Sequence, residues 1–412
     1  MGIDAYFVFP IKLRRMREGP LGPHVDLFAD RLLEEGHSRQ SAWRNLAVVC
    51  DFSHWLARRD LDLHDIDERT VDAYQRFRAR YRCPLGGDRP ALLRLLSVLR
   101  EAHVILPPHP APLGPLEQQE EAFLEHLRRE CGLARVSAIR HRRIVRLFLK
   151  ECADAEGSLS RLEATDVTRF VERHVNDQSP RSAQMMCWTL RSLLRYLQYR
   201  GDVCLDMTGS VPTIRRWRLA TLPSFLEATE IENVLAGSDR SQPVGRRDYA
   251  ILLLLARIGL RANEIRLLCL EDIDWGSGRL TVHGKGGRSA TMPLPMEVGA
   301  AIADYLQHGR PRCSCRHVFL RHLAPHRGFT SSSMISQVAK AALRRAGVER
   351  VAHRGAHLFR HSLATRLLRA GASLTEIGQV LRHQKHDTTR IYAKVDLASL
   401  RSLAQPWPGG TR

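Results

Sequence analysis

Four short stretches in the second half of the chain gather side chains that bind phosphates and move protons, each where the backbone turns. Arg261 follows Gly259-Leu260, where one apolar helix should end and another begin. Its planar fork offers two parallel charged hydrogen bonds that survive burial, a geometry suited to a phosphate. Glu264, three residues on, is spaced for a local ion pair with it and serves as a supporting candidate. Lys285 stands at the tip of a glycine-rich turn, Gly284-Lys285-Gly286-Gly287, where its plainer role is that of a solvated turn lysine. In His357-Leu358-Phe359-Arg360 the histidine and arginine share one helical face and can reach the same anion. Leu381-Arg382-His383 follows, and Tyr392 comes nine residues after His383.

A metal reading of the histidines does not close. His353, His357 and His361 recur every four residues, and Cys313, Cys315, His317 and His322 cluster nearby. The first set lacks the glutamate of a His-Glu-x-x-His motif, and one Cys-x-Cys without a second pair is not a zinc set. No Gly-x-x-x-x-Gly-Lys-Ser/Thr loop is present, nor a carboxylate pair of the kind two-metal nucleases use. No cofactor and no metal is therefore expected.

The charge names the class of partner. Lys and Arg number 63 against 44 Asp and Glu, a net +19 over 412 residues, which points to a polyanion. A membrane role is disfavoured, because the apolar run 250–256 is stopped by Arg257, well short of the ~20 residues a span needs. At the start of the chain the basic residues come after the apolar stretch, and no small-residue cleavage site follows. Nine scattered cysteines read as reduced thiols of a cytoplasmic protein.

The elements that must position these residues follow from periodicity. Two Pro- and Gly-rich stretches, 106–115 and 209–223, read as linkers and leave three blocks. Blocks one and two repeat each other at an offset of 96: Gly36, Ser41, Phe52, Ile66, Val71 and Tyr74 fall opposite Gly132, Ser137, Phe148, Leu162, Val167 and Phe170. Leu93–Leu96 lies opposite Leu190–Leu193 at 97. Helices are expected at 38–58, 67–81 and 89–102 in the first copy, and at 135–155, 165–175 and 180–199 in the second. Asp67 or Asp65 would cap 67–81, and Thr165 would cap its counterpart. Block three should open with helices at 228–236 and 245–258, pass through strands at 279–283 and 288–294, and be helical from 297 onward, ending in a short helix at 396–404.

The ordered series Arg261, Lys285, His357, Arg360, His383 and Tyr392 resembles the tyrosine recombinases, or phage-integrase family, over about residues 222–399. Block two resembles that family's helical core-binding domain, and block one does so through the repeat. Arg382 departs from the family's frequent glycine before the histidine, at a place where a positive φ would disfavour a side chain.

The resemblance implies a mainly α fold with a small β-hairpin or sheet. Its domains would be a helical repeat at 1–110, a SAM-like core-binding domain at 111–208, a linker at 209–223, an α+β catalytic domain at 224–400, and a tail at 401–412. It also implies a site-specific recombinase or integrase of a mobile element that acts through a 3′-phosphotyrosyl intermediate. Tyr392 would be the nucleophile, the cationic cluster would supply the field that favours its phenolate, and Lys285 would protonate the leaving 5′-oxygen. Double-stranded DNA is the implied partner, contacted in part by the basic helices 89–100 and 135–146. The protein would be nucleoid-associated when bound and would act as a homotetramer on two sites, with accessory or companion proteins. A topoisomerase IB-like relaxing activity and a non-catalytic architectural DNA-binding protein are the alternatives.

Overall fold

The computed structural model describes residues 2–6, 10–83, 85–108, 113–154, 156–215, 224–284, 287–351, 354–383, 389 and 391–392. Lys285 and the helix expected at 396–404 lie outside the described residues. Two compact units emerge, one made of 1–107 with 221–412 and the other of 108–220. Among the described residues no helix is long and apolar enough to cross a membrane.

The first block holds α1 (Pro10–Met16), α2 (Val25–Glu34), α3 (Arg39–Arg58), α4 (Glu68–Arg78) and α5 (Asp88–Glu101). The second holds α6 (Pro115–Arg129), α7 (Arg135–Cys152), α8 (Ala164–Val175) and α9 (Pro180–Arg200). Helices α2–α5 and α6–α9 are two copies of one four-helix plan, and the buried residues keep the register. Phe28 and Leu32 match Phe123 and Leu127; Ala42, Val49 and Phe52 match Ala138, Val145 and Phe148; Val71 and Tyr74 match Val167 and Phe170. The same aromatic pair recurs at the same spacing, Phe52 with Tyr74 at 5.0 Å between ring centroids and Phe148 with Phe170 at 5.1 Å. In the last helix the buried leucines 92, 95, 96 and 99 match 190, 193, 194 and 197, an offset of 98 rather than 97. Burial decides this, since a helix shifted by one residue turns its stripe by ~100°.

Local capping differs from expectation in one place. Asp67 caps α4, accepting from the Thr70 amide at 2.8 Å. At α8 the helix starts earlier than Thr165, with Glu163 as N-cap and its amide donating to Asp166 Oδ2 at 3.1 Å. The segment after α9 is not a free linker throughout. Val211 is buried in the block-two core, and Arg191 Nη2 donates to the carbonyls of Val211 and Pro212 at 2.9 and 3.0 Å.

Block three begins with α10 (Ala228–Ala236), α11 (Pro243–Leu253) and α12 (Ala262–Leu267). An antiparallel sheet follows in the order β1 (Ile273–Asp274), β2 (Arg279–His283), β3 (Ser289–Pro293), with Thr281 opposite Thr291. Strand β1 is too short to leave a periodicity in the sequence. After α13 (Met296–His308) the expected helix gives way to irregular chain through 309–331. Pro311, Pro325 and Gly328 interrupt any helical ladder there. The segment is held instead by Arg310, whose Nη2 donates to the carbonyls of Cys315 and His317, and by bridges pairing Cys269 with His317 and Leu320 with Gly328. Three more helices follow among the described residues: α14 (Ser332–Arg345), α15 (Ala356–Arg369) and α16 (Leu374–Val380).

Gly36 and Gly132 occupy the same left-handed turn of the two copies, at φ +77° and +64°. Around Gly132 a β-carbon would meet nothing within 4 Å, whereas at Gly36 it would fall 2.0 Å from the His326 ring, whose own amide donates to Glu35 O at 2.9 Å. Gly132→Ala is therefore expected to cost only the left-handed strain, about 1–2 kcal/mol, and Gly36→Ala distinctly more because the His326 ring must move. Thermal unfolding of the two variants measures the order, and a larger loss at Gly132 would contradict the packing described.

Candidate active site

The site is assembled where α11 ends. Residues 250–256 are apolar and wholly buried, so the last turn of α11 and the start of the turn that follows are covered on every side. Its ladder widens into one π-turn at Leu254–Ile258 and stops at Gly259, φ +66°. A β-carbon at Gly259 would lie 2.8 Å from Leu363 and 3.0 Å from Leu381, so only glycine lets α15 and the end of α16 come this close. Arg261 then becomes the N-cap of α12, its amide donating to Glu264 Oε2 at 2.9 Å.

Arg360 reaches into this junction from α15. It is buried, with Nη1 donating to Gly259 O and Nη2 to Leu381 O. Arg261 Nη1 donates to Glu264 Oε1 at 2.7 Å and Nη2 to Arg382 O at 3.1 Å. Arg382 Nη2 donates to Glu264 Oε2 at 2.8 Å, while its Nη1 stands 3.1 Å from Met292 Sδ on β3. Glu264 thus stands between two guanidiniums. The Tyr392 hydroxyl is 2.8 Å from His361 Nδ1, and the tyrosine is 1% exposed. The His383 ring lies nearly parallel to that of Tyr392 at 6.4 Å, with its Nδ1 2.8 Å from Thr389 Oγ1. His357 is exposed on α15, its ring 6.4 Å from that of His361.

Burial and charge set the protonation states. Burial would raise the Glu264 carboxyl, but the Arg261 amide and the guanidiniums of Arg382 and Arg261 outweigh it and hold it below the usual carboxylate range. Burial, with Arg261 and Arg382 nearby, brings Arg360 down to about 10, so it stays charged at neutral pH. His361 falls to about 4 through burial and the neighbouring His357 and Arg360, and His383 falls to about 4 through burial and the cations of Arg360 and Arg261. Burial pushes Tyr392 up to about 12 against the pull of Arg360. Arg360 favours the phenolate, as expected of the cationic cluster, but burial outweighs it.

Arg261, Glu264, Arg360, His383 and Tyr392, scattered over some 130 residues of sequence, are thus placed around one junction. Two participants were missed. His361 stood out only for metal-like spacing, and its contact with Tyr392 requires the fold. Arg382 was noted as a departure at a position liable to positive φ, and φ is indeed +52°, but nothing in the sequence pointed its side chain at Glu264. Cys315 and His317 do approach, at 3.5 Å between Sγ and Nδ1, yet among the described residues no three such side chains converge as ligands.

The low folded-state pKa of His361 has a stability consequence. Below its ordinary value of 6.5 the unfolded chain takes up the proton first, so stability falls as pH drops from about 6.5 toward 4. His361→Gln should show a shallower fall in melting temperature over that window. An identical slope would mean that the ring is not held neutral.

Comparison with known proteins identifies the family. Residues 224–398 match the phage integrase family, and 121–201 match the phage integrase N-terminal SAM-like domain. An integrase/recombinase of Sinorhizobium fredii, y4rA, is 42% identical over 98% of this chain and 99% of its own length. Tyrosine recombinase XerD of Listeria monocytogenes serotype 4b is 30% identical over 69% of this chain and 96% of its own. Among solved structures, XerH site-specific recombinase bound to palindromic difH substrate in a post-cleavage complex aligns with TM-score 0.55 at 19% identity, over 69% of this chain and 83% of that one. A lambda integrase (75–356) dimer bound to a COC′ core site aligns with TM-score 0.51 at 15% identity, over 71% and 98%. With a relative this similar along its whole length, the chain belongs to the phage integrase family, the tyrosine recombinases.

Proposed function

We propose that this chain is a site-specific recombinase or integrase that cuts and rejoins double-stranded DNA through a 3′-phosphotyrosyl bond on Tyr392. The observation that carries the reading is the charge balance of the junction. Among the described residues, Arg261, Arg360 and Arg382 surround one buried carboxylate, Glu264, beside a tyrosine hydroxyl. Buried positive charge in excess calls for an anion, and a phosphodiester supplies one with oxygens placed for bidentate guanidinium contact.

In this reading the two arginines first predicted, Arg261 and Arg360, stabilise the charge that grows on the non-bridging oxygens as the phosphorus becomes five-coordinate. Their anchoring to Gly259 O, Leu381 O and Arg382 O fixes them before DNA arrives. The Tyr392 oxygen attacks phosphorus, the 5′-oxygen leaves, and the phenol proton passes to a base. His361 Nδ1 is in contact with that hydroxyl, and its ring is neutral at neutral pH. His357 and His383 supply further donors or move protons, and Lys285 protonates the leaving oxygen. Return attack by a 5′-hydroxyl of a second site completes strand exchange, which fits a mobile element.

Charge also distinguishes the blocks. Residues 221–412 carry 28 Lys and Arg against 15 acids, whereas 1–107 carry 17 against 15. The arginines of α5 are matched by the block's own carboxylates: Arg89 with Asp72, Arg94 with Glu35, Arg100 with Glu68. The DNA grip is therefore assigned to block three and to exposed arginines of α7 such as Arg140 and Arg143 rather than to α5. Four protomers on two sites complete the proposal.

A nicked suicide substrate built from the inverted repeats that flank the element tests the reaction. Tyr392→Phe should bind it and form no covalent adduct; an adduct in that variant would overturn the assignment. Arg360→Lys keeps the charge but loses the two-carbonyl anchor, and cleavage should fall about 10²-fold or more with affinity unchanged. Strand exchange between two supplied sites, as against relaxation of one supercoiled circle, separates a recombinase from a topoisomerase-like enzyme.

A further inference from the structure

Arg382 holds a backbone conformation that its side chain disfavours, at φ +52°, and its guanidinium is spent inside the site. Strained left-handed residues persist where the surroundings over-determine them, and they cluster where function uses them. The contacts say what this one does. Glu264 is almost wholly buried, with its side chain 3% exposed; Arg382 is 15% exposed and Arg261 36%. Of the two cations that share the carboxylate, Arg261 is therefore the one open to an incoming anion, and Arg382 is the covered one. Glu264 Oε1 takes Arg261 Nη1, Oε2 takes Arg382 Nη2, and the Arg382 carbonyl takes Arg261 Nη2.

We infer that Arg382 is a positioning residue for strand cleavage: it neutralises Glu264 from the buried side and holds Arg261 through its carbonyl, leaving the Arg261 charge available to the scissile phosphate. Without that guanidinium Glu264 is opposed by Arg261 alone, and the arginine that meets the phosphate is largely cancelled. The side chain thus acts through Arg261 and needs no contact with DNA. The inference rests on the strand-cleavage reading and assigns a further residue to the same site.

Three substitutions separate charge from shape. Arg382→Gly relieves the left-handed strain and removes the charge, Arg382→Gln removes the charge at similar length, and Arg382→Lys keeps it. At saturating suicide substrate, the Gly and Gln variants should form adduct about 10-fold more slowly with unchanged DNA affinity, and the Lys variant should stay within about 3-fold of wild type. All three variants should melt in one cooperative transition above the assay temperature, so slow cleavage there cannot be put down to unfolding. A Gly variant that cleaves at the wild-type rate, or a Lys variant as slow as the Gln variant, overturns the inference. Wild-type protein that forms no adduct overturns instead the strand-cleavage reading beneath it.

Discussion

The guanidinium of Arg360 ties the site together. From the middle of α15 it donates to the carbonyl that ends the π-turn after α11 and to the carbonyl just past α16. These are two points where a helix has stopped and its last carbonyls lack partners within the helix, so each is both in need of a donor and well placed to accept one. A buried cation without a carboxylate of its own is costly, and carbonyl dipoles at helix ends are the surroundings that lower that cost. Everything else in the junction depends on this convergence. Gly259 must lack a β-carbon for α15 to approach, Arg261 begins α12 two residues later, and His383 follows Leu381 by two.

Glu264 gives the same junction its polarity. One carboxylate, held ionised by two guanidiniums and a backbone amide, fixes Arg261 and Arg382 with opposite degrees of exposure. A fully balanced set of ion pairs would make an inert core. Here, among the described residues, the cations outnumber the carboxylate, so the junction carries unspent positive charge. That places the site's binding energy in a contact the protein cannot satisfy by itself, which is where preorganised electrostatics contributes most to a reaction that gathers negative charge.

The sequence displayed the repeat and the ordered polar series because both are local or periodic. Gly36 and Gly132 mark the same turn, and Phe52 with Tyr74 and Phe148 with Phe170 keep one spacing in two cores. Strand β2 and most of β3 followed from alternation. What stayed hidden depends on partners distant in sequence. The non-helical course of 309–331 is set in part by the bridge that pairs His317 with Cys269, far back in the chain. The contact of His361 with Tyr392 spans 31 residues and that of Arg382 with Glu264 spans 118, distances at which no helical or strand period carries information. The net charge was legible, whereas the pairing of the α5 arginines with Asp72, Glu35 and Glu68 was not.

In the reaction proposed above, the protonation of Tyr392 bears on when its proton leaves. Before DNA binds, burial keeps the hydroxyl neutral at about 12 although Arg360 lies close enough to oppose the effect. A phosphate entering the junction brings its own negative charge and takes up part of the arginine field, so its arrival does nothing to favour a preformed phenolate nearby. Two anions in one desolvated pocket repel each other. The phenol proton must therefore leave as the oxygen bonds to phosphorus, when the charge passes onto the oxygens the arginines face. A base is needed in contact with the hydroxyl at that moment, with no proton of its own to discharge first. His361, neutral because it is buried among cations and 2.8 Å from the hydroxyl, meets both conditions. In the proposed reaction, the burial that keeps the resting hydroxyl protonated thus ties its loss of the proton to attack on the phosphate.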